Sequence, residues 1–108
     1  MLDSRARRLA AFAVAIVTAL LLDGTAAAQT PDAPKLYAEH CASCHGIDRF
    51  GGTGPALLPE NLERLRKSAA SDTIANGRIA TQMPAFSAML DKDAIASLVD
   101  YVYSMPSV

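Results

Sequence analysis

Tryptophan is missing from the 108 residues, and the other aromatics number only three Tyr and three Phe. A chain so short of large rings has few side chains with which to fill a core. Cysteine occurs only at Cys41 and Cys44, which excludes a multi-disulfide scaffold. No stretch alternates apolar and polar residues as a half-buried strand does. Lys and Arg total 10 against 11 Asp and Glu, for a formal net charge of −1. Without a basic stripe, nucleic acid is not the expected partner. Without an acidic block, no solvated tail is expected. No apolar run reaches the about 20 residues of a membrane span.

The longest apolar run is Leu9 to Leu22, LAAFAVAIVTALLL, 14 residues broken only by Thr18. Arg5, Arg7 and Arg8 precede it, and Ala26-Ala27-Ala28 offers a small-residue cleavage site before Gln29. A charged start, an apolar centre and an A-x-A end are the three parts of a secretory signal. Residues 1–28 are therefore expected to be a signal peptide, with an uncleaved anchor as the alternative, and 29–108 a single exported domain. No stable membrane insertion is expected once the leader is removed. The 51% hydrophobic content is inflated by the leader. The remaining 80 residues carry seven Lys and Arg against nine Asp and Glu. A domain of that size has a marginal core and usually needs a disulfide, a metal or a bound group.

Turn and cap residues divide the domain into short helices. Asp32 and Pro34 can open a helix over 35–42 that carries Cys41 inward. Residues 46–58 (GIDRFGGTGPALL) hold four glycines and a proline and read as a loop. Pro59 and Glu60 restart helix through ENLERLRK, with Leu62 and Leu65 on one side. Ser71-Asp72 reads as another helix start, and Gly77 as its stop. Residues 78–90, punctuated by Pro84, read as irregular. Asp91 and Asp93 suit the positive end of a final helix. Ile95, Leu98, Val99 and Val102 give that helix an apolar face, and Pro106 ends it.

The chemistry is concentrated in HCASCHG, residues 40–46. A redox dithiol at Cys41 and Cys44 needs a low-pKa thiol and usually a βαβ setting, which the pattern lacks. A zinc site wants four ligands, and Cys41, Cys44 and His45 supply three. His40 as the fourth would strain the local backbone. A Cys41–Cys44 disulfide suits an exported protein but leaves His45 and the thin core unexplained. C-x-x-C-H is also the attachment signature of c-type haem. In that reading two thioethers join the porphyrin, and His45 lies beneath the iron as a ligand. Ala42 and Ser43 are small enough not to crowd the macrocycle, and export fits as well. A buried porphyrin also supplies the missing core. At about 25 cal/mol per Å² it adds on the order of a domain's whole net stability of about 5–15 kcal/mol.

A second axial ligand is available at Met83, Met89, Met105 or His40. Pro84 denies helix to the backbone around Met83 and fixes TQMPAF as a loop that can project the sulfur. Met105 lies beyond the last helix, and His40 shares a helix with the attachment site. Met83 is the favoured ligand and Met89 the alternative. Thioether sulfur raises the potential relative to bis-histidine ligation and leaves no open position for a substrate. Pro55, ten residues after His45, can accept the histidine's ring proton, or it is a plain turn proline. Arg78 can pair with a haem propionate, or it is simply solvated. The charged run Glu63, Arg64, Arg66, Lys67 reads as a solvated helix face or a docking patch.

CASCHG, GPALLP, QMPAF and the final SLVDYV together resemble the small class I cytochromes c of bacteria, over Leu36 to Ser104. The resemblance implies an all-α fold of several short helices around one covalently bound haem c, with the first and last helices crossing. It implies Cys41 and Cys44 as attachment residues, His45 and Met83 as iron ligands, and Pro55 as the proline against the proximal histidine. GGTGPALLPENLERL with ATQMPAF is similar to the mono-haem cytochromes associated with haem-cd nitrite reductase. The connecting loops are too short for a mitochondrial-type cytochrome. The function this implies is a monomeric, periplasmic one-electron carrier of denitrification, not an enzyme, with nitrite reductase as its redox partner. Alternatives are electron transfer in maturation of the reductase's specialised haem, or a haem-based sensor or small peroxidase.

Overall fold

The computed structural model describes Gly24 and residues 29–106. The expected leader over 1–28 and its cleavage point lie, Gly24 apart, outside the described residues.

The first helix, α1 (Ala33–His40), begins where the cap residues place it. The Asp32 carboxylate accepts from the Lys35 amide at 3.2 Å, and Pro34 occupies the first turn. The helix does not run on through residue 42 as expected. It ends at Cys41, and a separate single turn, α2 (Ala42–His45), follows. Gly46 closes α2 at φ 82°, and a Cβ there would lie 2.9 Å from the Gly51 carbonyl oxygen. Only glycine admits that approach in that conformation. The following loop folds back under α2, with the Gly51 amide donating to the His45 carbonyl at 2.8 Å and the Gly54 amide to that of Cys44 at 2.8 Å.

The third helix, α3 (Pro59–Leu62), has proline in its first turn. The helix expected through Lys67 stops short. Tyr103 donates its hydroxyl to the Leu65 carbonyl, an acceptor that a continuous helix would have used for itself. Arg66 is extended at ψ 145°, and α4 (Lys67–Asn76) starts there rather than at Ser71-Asp72. Gly77 caps α4 as expected, at φ 71°. The last helix, α5 (Lys92–Tyr103), is capped by Asp91, whose carboxylate accepts from the Ala94 amide at 2.8 Å.

Helix α5 packs against α1, α3 and α4 and organises the core. Its buried face is Ile95, Leu98, Val99 and Val102, the periodic set read from the sequence, joined by Ala94. Tyr37 of α1 and Leu98 are the largest side chains fully enclosed. Burial pushes the Tyr37 phenol up to about 12. Its hydroxyl donates to the Gly46 carbonyl at 2.8 Å. Among the described residues no strand forms, and no helix is long and apolar enough to cross a membrane.

Arg49 is buried, which its sequence context did not suggest. Its guanidinium donates to the carbonyls of Tyr101 at 2.7 Å and Ser104 at 3.0 Å. It also lies over the Tyr101 ring, 4.8 Å from the centroid. These carbonyls end α5, where a cation suits the negative end of the helix dipole. The Arg49 carbonyl accepts from the Leu57 amide at 2.8 Å, so the residue ties the 46–57 loop to the last helix. Arg49→Met takes away the donor to the Ser104 carbonyl and one of three to the Tyr101 carbonyl, which keeps the amide and hydroxyl of Ser104. It is expected to cost about 2 kcal/mol in denaturant unfolding of the haem-loaded protein.

Candidate haem site

Cys41 bridges α1 and α2, Cys44 and His45 lie on α2, and Pro55 sits at the end of the glycine-rich loop. Arg78 and Met83 come from the segment after α4. The fold brings all six to the wall of one cavity of about 670 Å³. Leu62, Ile74, Phe86, Leu98 and Val102 supply apolar lining. The volume falls within the about 300–1,000 Å³ typical of cofactor and ligand sites.

His45 is buried, and its Nδ1 lies 2.7 Å from the Pro55 carbonyl oxygen. A carbonyl only accepts, so Nδ1 carries the proton and Nε2 keeps a free lone pair, the tautomer a metal ligand needs. Gly54 is what permits this. A Cβ at Gly54 would sit 2.9 Å from both Cε1 and Nδ1 of the His45 ring. In the sequence, Gly54 is marked only by its place before Pro55 in a glycine-dense run, which does not reveal its contact with the His45 ring. Gly54→Ala is expected to push the ring off the carbonyl and cost about 1–3 kcal/mol in thermal unfolding. The weaker hydrogen bond also reduces electron donation by the imidazole, so the reduction potential of the holoprotein should rise.

Cys41 and Cys44 are not bonded to each other. Burial, and after it the neighbouring Cys44, push the Cys41 thiol up to about 11. A redox dithiol needs the opposite shift. Among the described residues no three His, Cys, Asp or Glu side chains are grouped to hold a metal ion between them, so the zinc reading finds no ligand set. Two thiols on one wall of a largely apolar cavity, with an imidazole beside them, do fit a covalently held porphyrin.

The methionines separate clearly. Met83 is half-buried and lines the cavity. Met89 and Met105 are 60% and 76% exposed and lie outside its lining. His40 lines the cavity as well, its ring edge-on to Phe86 at 6.0 Å between centroids. Arg78 is exposed at the rim.

A family model described as cytochrome C oxidase, cbb3-type, subunit III, matches residues 28–102. The chain belongs to this family of c-type cytochrome domains. It is 44% identical over 93 residues to dihydro-heme d1 dehydrogenase of Pseudomonas aeruginosa, covering 86% of this chain and 19% of that one. It thus spans about a fifth of that longer relative. It is 37% identical over 94 residues to cytochrome c55X of the same organism, covering 82% of this chain and 78% of the relative. The solved structure of the c-type cytochrome NirC superposes with a TM-score of 0.62 at 37% identity, over 65% of this chain and 82% of that one. The expected all-α cytochrome c fold and the resemblance to small bacterial cytochromes c therefore hold. The cytochrome carries covalently bound haem c with its iron.

Proposed function

We propose that this cytochrome is an exported one-electron carrier acting in the periplasm, with Cys41 and Cys44 as attachment residues and His45 and Met83 as the residues that would ligate the iron. The observation that carries this is the convergence of two thiols, one imidazole in the ligand tautomer and one thioether on a single cavity. Bound haem iron supplies one-electron chemistry, cycling between ferric and ferrous states. The chain's own contribution is to fix that centre. The Pro55 carbonyl sets the tautomer and orientation of His45. Met83, as the second iron ligand, would leave no open position for a substrate. The apolar lining limits water around the site. Such a site passes electrons and does no bond chemistry, so the protein is not an enzyme.

Similarity to cytochrome c55X and NirC supports a place in denitrification, as electron donor to nitrite reductase. Similarity to dihydro-heme d1 dehydrogenase supports a second reading. A dehydrogenase must hand its electrons on, and a small carrier resembling part of that enzyme is a suitable acceptor during maturation of the specialised haem. Stopped-flow mixing separates the two. Rapid oxidation of the reduced cytochrome by nitrite reductase supports the first. Rapid reduction of the ferric cytochrome by the dehydrogenase with its substrate supports the second. Rapid reaction with carbon monoxide or peroxide instead would point to a sensor or small peroxidase.

A further inference from the structure

The segment after α4 holds Met83 by hydrogen bonds that the ligand motif does not require. The Thr81 hydroxyl donates to the Arg78 carbonyl at 2.8 Å and accepts from the Met83 amide at 3.2 Å. The Arg78 amide donates to the Met83 carbonyl at 3.3 Å. Both backbone polar groups of Met83 are thus held from within a six-residue loop, 78–83. Behind the loop, a Cβ on Gly77 would lie 2.7 Å from the Met83 carbonyl oxygen, so α4's end and the methionine backbone are in direct contact.

Packing does not hold the tip of this loop. Ile79 is 99% exposed, and Ala80 is left-handed at φ 64°, a conformation an alanine adopts only under strain. The bonds through Thr81 oppose that strain. They run across the loop and fix the backbone from which the thioether projects.

We infer that Thr81 is a positioning residue for Met83, its hydroxyl setting how firmly the thioether is held at the cavity wall. The inference rests on Met83 being the axial ligand. Without the hydroxyl, the strained loop opens more often, and an external ligand gains access in proportion to the open fraction. A threonine that merely completed a turn would change unfolding alone.

The test uses ferric holoprotein titrated with imidazole, alongside the thioether-to-iron charge-transfer band and thermal unfolding. Thr81→Val is expected to bind imidazole about tenfold more tightly and to lose the band at lower imidazole concentration. Thr81→Ser, which keeps the hydroxyl, should return to within about twofold of the unaltered protein. Thr81→Ala gives the same reading should Thr81→Val fail to accumulate. Imidazole affinity unchanged in Thr81→Val and Thr81→Ala, or no rescue by serine, overturns the inference. Met83→Ala serves as the control. If it keeps the charge-transfer band, the ligand reading is wrong and the inference falls with it. If it loses the band while the threonine variants behave as the parent, the role of Thr81 alone is wrong.

Discussion

Met83→Ala is expected to abolish the thioether-to-iron charge-transfer band and to let the reduced protein bind carbon monoxide at neutral pH. Its reduction potential should also fall. Thioether sulfur favours ferrous over ferric iron, and each tenfold of that preference corresponds to about 59 mV. A loss on the order of 100 mV therefore reports a preference of about fiftyfold. Met89→Ala should change none of these, because Met89 is 60% exposed and outside the cavity lining. Loss of the band in Met89→Ala alone would reassign the ligand. The two substitutions remove the same atoms, so the contrast between them isolates position from chemistry.

The paired substitution Cys41→Ser with Cys44→Ser removes both proposed attachment points and should have the largest effect on the fold. The cavity of about 670 Å³ lies against the core residues Leu62, Phe86, Leu98 and Val102. At about 24 cal/mol per Å³, leaving it empty would cost on the order of 16 kcal/mol, an upper bound because water enters an open site. That equals or exceeds the about 5–15 kcal/mol net stability of a typical domain. The exported variant should show no added haem mass, and circular dichroism should show no cooperative melting transition. A colourless variant that still melted cooperatively would mean the side chains alone build the core. The five aromatics of residues 29–108 argue against that.

Several elements were legible because their signals are local. Asp32 and Asp91 cap their helices through their own side chains, and Gly77 ends α4. The period of Ile95, Leu98, Val99 and Val102 marked the buried face of α5 without any tertiary information. The C-x-x-C-H run carried its chemistry in its spacing. Other features depended on groups distant in the chain. The break between α3 and α4 coincides with the hydroxyl of Tyr103 taking the carbonyl of Leu65, 38 positions earlier. No window around residues 60–71 contains that information. Arg49 looked like any loop cation until the end of α5 came to lie against it.

By itself, the sequence determined the C-x-x-C-H motif, the helix ends at Asp32, Gly77 and Asp91, and the need for a large non-protein group in a thin core. Only the tertiary structure decided which methionine faces the cavity and how the His45 ring is held. It also revealed the parts played by Gly54, Arg49 and Thr81. The physical reason is range. Caps, periods and spacings act within a few residues. A cavity wall, a ring's hydrogen bond and a buried cation are made by segments that meet only after the chain has folded.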